Sequence, residues 1–358
     1  MNESSIIPPG STIAIIGDGQ LGKMTAQAAQ RLGYHVAVWG TSPHAPAMQC
    51  VSRRIIAPYT SREAEEELRG VPVVTTEWEN VPAELMDRLR RAGHVVRPSS
   101  RVLEIAQSRN KEKLFALRIR AVPTPWAYIE HINVLGKAET YEHLLPGILK
   151  TNREGYDGKG QRRVVDYFEL ARAVEEIAVP CILEKQLTVD FECSVLVARN
   201  AQGEVRVSDV VRNDHEAGIL VRSRWSPCME LERVRKRIKT IAERAAATLE
   251  LEGILVLEFI VSGDTIYFNE MAPRPHNSFH ASIEAADCSQ FEQHVRAICN
   301  LPLGCVRFHT PFTMHNMLRS EGDEWEKHLQ RVGARVHLYG KQPTSGGVRK
   351  MGHVTILE

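Results

Sequence analysis

The sequence predicts a protein of mixed α/β and α+β architecture with more than one domain. At about 150 residues per domain, the 358 residues correspond to two or three domains. Near the N-terminus, an apolar run over 12–16 precedes a glycine-rich turn, a helical stretch and a second apolar run, which is the order of a βαβ unit. In the second half, a long amphipathic helix over 232–250 precedes two strand-like runs that fit a β-hairpin.

The first region, to about residue 108, alternates strand-like and helix-like segments. Its β-branched apolar runs are typical of strands that are buried on both faces of a parallel sheet. After the run at 12–16, the predicted strands cover 34–39, 71–75 and 95–96, and the predicted helices cover 23–32 and 82–92. This alternation predicts an open α/β domain.

The region that follows has a different order of elements. A charged helix over 102–118 and a proline-containing connector at 122–125 lead to strand-like runs at 147–150, 181–185, 191–198, 254–261 and 265–269. In the helix over 232–250, apolar residues recur every three or four positions, which predicts one buried face. The basic residues at 233–239 are expected to form its solvated face. The chain beyond about 306 has short strand-like pieces, such as 335–339.

Charge and composition exclude several broad classes of function. Lys plus Arg is 45 and Asp plus Glu is 44, so the formal net charge of +1 argues against a general electrostatic grip on nucleic acid or a membrane surface. A local basic pocket for a small anion stays possible. The seven cysteines show no C-x-x-C spacing, which favours a reducing, cytoplasmic compartment. No secretory signal pattern and no run of about 18 apolar residues is present, so no membrane span is predicted.

The segment Gly17-Asp18-Gly19-Gln20-Leu21-Gly22 matches G-x-G-x-x-G between a strand and a helix. Glycines at such a turn let the backbone approach an anion at the helix N-terminus. A dinucleotide site would place an acidic residue at the end of the second strand, which here ends in Trp39 and Gly40. The motif therefore favours a phosphate of a smaller substrate, with Gln20 as a donor, over NAD. A tight turn without a ligand is the alternative.

A second glycine-rich loop covers 154–161 and follows a strand-like run that ends at Lys150. The N–H groups of such a loop can fold over phosphates, and the loop can open and close. Lys150 would place a positive charge beside an α- or β-phosphate. An exposed hairpin tip is the alternative interpretation.

The predicted hairpin carries two carboxylates, Glu258 and Glu270, with Asn269 beside the second. Carboxylates on adjacent antiparallel strands can converge on Mg²⁺, which takes its other ligands from phosphates and water. Glu258 interrupts an apolar run, where an unpaired carboxylate is costly, so a simple strand-edge charge is the weaker explanation. With Lys150 and the glycine loop, this pair predicts metal-bound ATP.

Two further groups of polar residues suit anions. Arg274, His276 and Asn277 follow the predicted metal site and combine a cation, an imidazole and an amide, as a small oxyanion requires. Arg349, Lys350 and His353 form a second basic cluster near the C-terminus. A solvated tail is the alternative for that cluster.

Together, five segments resemble the N5-carboxyaminoimidazole ribonucleotide synthetases, ATP-grasp enzymes of de novo purine biosynthesis. These segments are 17–22, Thr76-Glu77-Trp78-Glu79-Asn80-Val81, 155–161, 269–278 and 349–353. The resemblance extends from Ile13 to Val354. It implies an ATP-grasp fold with an N-terminal Rossmann-like pre-ATP-grasp domain at 1–108, an ATP-grasp domain at 109–305 with a mobile lid at about 121–183, and a small β-rich C-terminal domain at 306–358. It also implies a homodimer.

The chemistry implied by the resemblance has two steps. ATP phosphorylates bicarbonate to carboxyphosphate, which can release CO₂ in the closed site. The 5-amino group of aminoimidazole ribonucleotide is then carboxylated, and ADP and phosphate are the other products. A lid that excludes water would protect the reactive carboxyphosphate.

The resemblance also assigns roles to residues of this chain. ATP would be held by Arg109, Lys150, Gly155, Tyr156, Asp157, Gly158, Lys159, Gly160, Gln161, Glu184, Lys185, Gln186, Leu187, Glu192, His215, Asn269 and Glu270. Mg²⁺ would be bound by Glu258 and Glu270, and Arg274, His276 and Asn277 would act on bicarbonate and carboxyphosphate. The ribonucleotide would be held by Gln20, Glu77, Glu79, Tyr156, Arg349 and Lys350.

Two positions depart from the family pattern, and three other functions are open. Glu154 and Phe279 stand where the family commonly has glycine, and activity is expected to survive because neither supplies a catalytic group.

The first alternative function is an ATP-grasp ligase that uses formate or an amino acid on a related ribonucleotide. The second is a nucleotide-sensing protein without catalysis, against which Glu258, Glu270 and Arg274 argue. An NAD-dependent dehydrogenase is the third.

Overall fold

Three β-sheets organise the protein. The structure is a computed structural model that describes residues 5–155, 160–318, 325–342 and 349–358. Within these ranges the sheets contain five, four and ten strands. The N-terminal sheet is parallel and the other two are largely antiparallel, so the predicted mixture of α/β and α+β architecture is confirmed.

The N-terminal sheet is covered by helices on both faces. Its strands are β1 Thr12–Ile16, β2 His35–Gly40, β3 Arg53–Ile56, β4 Val73–Thr76 and β5 Val95–Val96, and its helices are α1 Gln20–Arg31, α2 Arg62–Glu67, α3 Ala83–Arg91 and α4 Ser100–Ala106. On β1, Ile13 and Ile15 pack into the core on the α1 face, and Ala14 and Ile16 pack into the core on the α3 face. The strand order is β3-β2-β1-β4-β5, so the order reverses between β1 and β4. Ligands of open α/β sheets bind beyond the carboxyl ends of the strands at such a reversal.

The charged segment over 102–118 is two helices rather than the single predicted one. Helix α4 ends at Ala106, and helix α5 covers Arg109–Arg118. Between them, the Ser108 hydroxyl accepts a hydrogen bond from the Lys111 N–H and caps α5. The short strand β6, Val122–Pro123, follows and pairs with the edge of the largest sheet.

The four-stranded sheet has the order β7-β10-β8-β9 and is antiparallel. Its elements are β7 Trp126–Ile129, β8 Gly147–Thr151, β9 Gln161–Val164, helix α6 Tyr167–Ile177 and β10 Cys181–Lys185. Leu149 and Leu183 of the strands pack with Leu170 and Val174 of α6. This unit therefore has an apolar core of its own.

The largest sheet carries the rest of the described chain. Its strands are β6 and β11 Phe191–Arg199, β12 Val205–Val207, β13 Val211–Glu216, β14 Ile219–Trp225, β15 Gly253–Ser262, β16 Thr265–Ala272, β17 Phe312–Leu318, β18 Ala334–Leu338 and β19 Lys350–Leu357. The helices are α7 Met229–Leu249, α8 Ser282–Ala285, α9 Gln290–Ile298 and α10 Trp325–Gln330. The order is β18-β19-β17-β14-β13-β11-β15-β16-β6, with β12 paired to β11. The β-rich C-terminal segment thus extends this sheet through the β14–β17 pair.

Helix α7 has the predicted buried face. Val234, Ile238 and Leu249 lie in the core against β11 and β15, whereas Lys236 and Arg237 are exposed. Across the ranges that the structure covers, each helix is too short or too polar to cross a bilayer.

Candidate active site

A cleft of about 1310 Å³ lies where the three sheets meet. The predicted site residues that line it are Gln20, Glu77, Glu79, Arg109, Lys150, Gly155, Gln161, Glu184, Lys185, Gln186, Leu187, Glu192, His215, Glu258, Asn269, Glu270, Arg274, His276, Asn277, Arg349 and Lys350. Gly160 lies beside Thr151 and outside the lining. Tyr156, Asp157, Gly158 and Lys159 fall outside the described residues. The cleft therefore brings together residues that are up to 330 positions apart in the sequence, from Gln20 to Lys350.

The glycine motif at the start of α1 binds a carboxylate of the protein itself. The N–H of Gly19 donates to Glu77 Oε1 at 2.8 Å, and the N–H of Gly22 donates to Glu77 Oε2 at 3.0 Å. Gly17 has a φ of +112°, and a Cβ at this position would lie 2.3 Å from Glu77 Cγ. The prediction of a substrate phosphate at this helix N-terminus is therefore wrong, because Glu77 fills it. Burial raises the pKa of Glu77 above its ordinary value despite these N–H groups.

Glu79 and Arg274 form an ion pair across the cleft. Arg274 Nη2 donates to Glu79 Oε1 at 3.0 Å, and Arg274 Nε donates to the other oxygen. Burial acts to raise the pKa of Glu79, but the charge of Arg274 outweighs it and the pKa is lowered. The resemblance assigned these residues to different ligands, the ribonucleotide and bicarbonate. The structure shows that they contact each other directly.

Glu258, Glu270 and His276 fit a metal ion. Within the described chain they form the one group of at least three His, Cys, Asp or Glu residues whose ligand atoms all lie within 4.8 Å of one another. Glu258 Oε1 is buried and has no hydrogen-bond partner among the described residues. Burial and the charge of Glu270 raise the pKa of Glu258 to about 7. Two carboxylates with this orphaned oxygen suit a hard cation such as Mg²⁺.

His276 is neutral in this environment. Burial, followed by the charges of Arg274 and Lys350, lowers its pKa well below the ordinary value. Its Nε2 lies 3.5 Å from Glu258 Oε1, and its Nδ1 lies 2.9 Å from the Ser278 hydroxyl. A neutral imidazole with a fixed second nitrogen can act as a ligand or as a hydrogen-bond partner.

Glu184 lies between two lysines at another part of the cleft. Lys113 Nζ is 2.8 Å from Glu184 Oε1, and Lys150 Nζ is 2.6 Å from Glu184 Oε2. Burial acts to raise the pKa of Glu184, but the two lysines lower it to about 2. Beside Glu184, Lys185 and Gln186 are exposed toward the cleft.

Helix α5 supplies two residues that the sequence analysis did not assign. Lys113 follows the predicted Arg109 by four residues, and Glu112 follows it by three, which places all three side chains on one helical face. Glu112 Oε1 accepts a hydrogen bond from the Met271 N–H at 2.8 Å. Arg109 Nη1 lies 3.4 Å from Glu270 Oε2, and Arg109 Nη2 donates to the Gly155 carbonyl oxygen at 3.1 Å. Helical spacing from Arg109 was the signal that could have found Glu112 and Lys113.

His215 and Glu192 form a second charged pair, on β13 and β11. His215 Nδ1 lies 2.7 Å from Glu192 Oε2. Burial acts to lower the pKa of His215, but Glu192 and Glu258 raise it to about 9. His215 is therefore protonated at neutral pH, and it adds a positive charge to the cleft.

The C-terminal cluster contributes two residues rather than three. Arg349 and Lys350 line the cleft at the start of β19. His353 is fully buried, with its ring stacked 4.5 Å from that of His337, and burial lowers its pKa well below the ordinary value. The prediction of His353 as a member of a basic cluster is therefore wrong. Along β19, burial increases from the partly exposed Lys350 to the buried His353, three positions later.

The two departures from the family pattern have structural counterparts. Glu154 has a φ of +65°, in the left-handed region where glycine is the unstrained residue. Phe279 is fully buried and stacks on Phe308 at a ring-centroid distance of 6.3 Å.

Comparisons with known proteins agree over the whole chain. It matches the ribonucleotide synthetase preATP-grasp domain over 11–107, the ATP-grasp domain over 116–291 and the phosphoribosylaminoimidazole carboxylase C-terminal domain over 313–358. The N5-carboxyaminoimidazole ribonucleotide synthase of Brucella melitensis is 38% identical, with 99% of each chain covered. That of Bacillus subtilis is 36% identical over 99% of this chain and 93% of its own.

Solved structures give the same result. The ADP complex of an N5-carboxyaminoimidazole ribonucleotide synthetase has a TM-score of 0.92 and 37% identity, and covers 100% of this chain and 94% of its own. The Aspergillus clavatus synthase with ADP and 5-aminoimidazole ribonucleotide has a TM-score of 0.86 and 25% identity, and covers 98% and 94%. The chain belongs to the N5-carboxyaminoimidazole ribonucleotide synthase family of ATP-grasp ligases.

Proposed function

We propose that four parts of the cleft hold the three reactants of this ATP-dependent ligase, which are ATP, bicarbonate and 5-aminoimidazole ribonucleotide, and the Mg²⁺ that accompanies ATP. The reaction is the carboxylation of the ribonucleotide 5-amino group in purine biosynthesis. The observation that carries the proposal is the convergence in one cleft of a carboxylate pair that fits Mg²⁺, a buried arginine and a lysine-lined end.

The nucleotide part contains Arg109, Lys150, His215, Glu192 and the segment 184–187. Lys150 and the protonated His215 supply positive charge for phosphates. The exposed residues of 185–187 face the adenine. The loop residues Gly155 and Gln161 continue this part. Residues 156–160 are assigned to it on the family resemblance alone.

The metal part consists of Glu258 and Glu270, with Asn269 beside them. When bound there, Mg²⁺ would neutralise charge on the β- and γ-phosphates and so favour attack at the γ-phosphorus. The protein contributes the two carboxylates and excludes water from one of them, Glu258. Glu258 is 6% exposed, so its oxygens are already stripped of most solvent.

Arg274, His276 and Asn277 serve bicarbonate and carboxyphosphate. A bicarbonate oxygen attacks the γ-phosphorus, the bond to the bridging oxygen breaks, and ADP leaves. Arg274 offsets the negative charge that develops, and the neutral His276 and the Asn277 amide orient the oxyanion. Asn277 is itself fixed by reciprocal amide hydrogen bonds of 2.8 Å with Asn316.

The ribonucleotide part contains Gln20, Glu79, Arg349 and Lys350. Carboxyphosphate breaks down to CO₂ and phosphate, the 5-amino nitrogen forms a bond to the CO₂ carbon as one C–O π bond opens to a carboxylate, and the released phosphate accepts the proton that leaves the nitrogen. Arg349 and Lys350 hold the ribonucleotide phosphate, because they are cations that the C-terminal segment places in the cleft lining, where it also places Lys341. Glu77 supports this part by fixing the turn that carries Gln20.

The four-stranded sheet and α6 belong to the proposed lid at 121–183. Their separate apolar core supports movement as one unit over the nucleotide. The domain division 1–108, 109–305 and 306–358 and the homodimer are further proposals that rest on the family resemblance. The cytoplasmic location is a further proposal that rests on the cysteine pattern. Sedimentation velocity at micromolar concentration tests the dimer, and a single monomeric species would contradict it.

The function is tested by ADP release with bicarbonate or formate, each with and without 5-aminoimidazole ribonucleotide. We expect rapid ADP release with bicarbonate plus ribonucleotide, together with one carbamate product per ADP. Turnover that formate supports and bicarbonate does not would instead support the alternative ligase. ATP binding without ADP release would support a nucleotide sensor, and NAD binding would support the dehydrogenase.

A further inference from the structure

Lys113 is a buried lysine that no part of the proposed function uses. Its side chain is 1% exposed and lies outside the residues that line the cleft. Its Nζ is 2.8 Å from Glu184 Oε1 and donates to the Asn269 carbonyl oxygen at 2.9 Å. Lys113 therefore contacts the four-stranded sheet at β10 and the largest sheet at β16.

Each oxygen of the Glu184 carboxylate is paired with a lysine. Lys113 Nζ lies at one oxygen and Lys150 Nζ at the other, and Lys113 also faces the buried carboxylate of Glu112. Lys150 lines the cleft and its side chain is 13% exposed, whereas Lys113 is enclosed. Lys150 is thus the cation of the pair that can reach a ligand.

Removing a partner from a buried ion pair is costly, because the remaining charge is left uncompensated. If Lys150 moves from Glu184 to a phosphate, Glu184 stays paired only because Lys113 is present. Without Lys113, the same movement would leave a lone carboxylate that is 3% exposed.

We propose that Lys113 is a positioning residue that keeps Glu184 paired and so lets Lys150 transfer to a nucleotide phosphate. The proposal rests on the assignment of Lys150 to a phosphate under the proposed function. Through Asn269, Lys113 also fixes the lysine side of the nucleotide part relative to the metal carboxylate Glu270.

The test is ADP binding by calorimetry in the presence of Mg²⁺, which does not require carboxylation. Lys113→Met is expected to weaken ADP binding about tenfold, which corresponds to about 1.4 kcal/mol. The KM for ATP rises by a similar factor while kcat changes less than threefold. Lys113→Arg retains ADP binding within threefold.

Lys111→Met is the matched control. Lys111 lies on the same helix and is exposed, with its Nζ 3.5 Å from Glu104. Wild-type ADP affinity in Lys113→Met, or an equal loss in Lys111→Met, would overturn the proposal. A loss of kcat in Lys113→Met with unchanged ADP affinity would also overturn it.

A double variant separates positioning from folding. The double variant Lys113→Met with Glu184→Gln has no carboxylate at position 184 that could lose its partner. Its ADP affinity is therefore expected to equal that of Glu184→Gln alone. This comparison applies even if Lys113→Met folds poorly, since the double variant removes both charges. Additive losses would contradict the inference. Absence of carboxylation with this ADP-binding pattern intact would contradict the proposed substrate and leave the role of Lys113 supported.

Discussion

Two buried carboxylates in the cleft, Glu184 in the nucleotide part and Glu258 in the metal part, have pKa values that are shifted in opposite directions. Glu184 and Glu258 are 3% and 6% exposed, so both have lost most of their solvent. The pKa of Glu184 is lowered to about 2, whereas that of Glu258 is raised to about 7. Burial acts in the same direction on both, and the neighbours differ: two lysines at Glu184, and a second carboxylate at Glu258. At Glu184 the two lysines outweigh burial, whereas at Glu258 burial and the charge of Glu270 outweigh the positive charges of His215 and Lys350.

The largest expected effect comes from a change in the carboxylate pair that fits Mg²⁺. Glu270→Gln removes one of the two carboxylates that fit Mg²⁺, and we expect ADP release to fall by about 10³-fold, since a metal contributes several kcal/mol to the transition state. Steady-state ADP release at fixed, saturating ATP measures this. Glu243→Gln, an exposed change on α7, should leave the rate unchanged. Wild-type turnover of Glu270→Gln at ordinary magnesium would refute the metal assignment.

A smaller effect is expected at the ribonucleotide end, where cations line the cleft. Lys350→Ala should raise the KM for the ribonucleotide about tenfold and change kcat little, because a charge-assisted contact of about 1.5 kcal/mol is lost in both ground and transition states. Initial rates over a range of ribonucleotide concentrations measure the split. Lys236→Ala, on the exposed face of α7, is the control. An unchanged KM would support the alternative interpretation, in which Lys350 is a solvated residue that does not bind the ribonucleotide.

His294 shows what burial does without a charged neighbour. It is fully buried, with Nε2 2.8 Å from the Thr75 hydroxyl, and burial alone lowers its pKa from 6.5 to about 4. Since the unfolded chain binds this proton more tightly, the associated stability is present above pH 6.5 and is lost as the pH falls toward 4. Between pH 7 and pH 5 the loss is about 2 kcal/mol.

Urea unfolding of His294→Gln at pH 7 and pH 5 tests this value. The variant should lose about 2 kcal/mol less than the wild type between the two pH values. His35→Gln, at an exposed residue, should match the wild type. A wild-type pH dependence in His294→Gln would show that this imidazole does not stay neutral.

The smallest effect concerns the loop that adjoins the nucleotide part. Glu154→Gly replaces a residue at a φ of +65° and should stabilise the protein by about 0.5 kcal/mol, because glycine adopts this conformation without strain. Chemical denaturation measures the change. Glu139→Gly, at an exposed residue outside the left-handed region, should destabilise instead. Destabilisation by Glu154→Gly would mean that the Glu154 side chain makes a contact that stabilises the fold by more than the backbone strain costs.

Local sequence pattern predicted much of this molecule. The strand, turn and helix order at 12–31 and the hairpin that carries Glu258 and Glu270 follow from periodicity and glycine placement, and the structure has them. The motifs that resemble the family, from Gln20 to Lys350, meet in one cleft. Each of these signals lies within a short stretch of sequence.

Contacts between residues that are far apart in the sequence could not be predicted from local sequence pattern. Glu77 fills the N-terminus of α1 because β4 lies beside β1, a neighbour that only the sheet order reveals. His353 is core rather than cleft, because the middle of β19 lies between β17 and β18 and residues 352–355 are all buried there. Lys113 was one charge among many in a helix whose partner, Glu184, is 71 residues away.

The continuity of the largest sheet has a mechanical consequence. Hydrogen-bonded strands run without interruption from β19, which carries Lys350, through β17, β14, β13 and β11 to β15, which carries Glu258. The residues proposed to hold the ribonucleotide and the metal are therefore parts of one continuous sheet. Under the proposed function, movement of the four-stranded unit would admit or enclose ATP, while the largest sheet would set the separation between the metal carboxylates and the ribonucleotide cations.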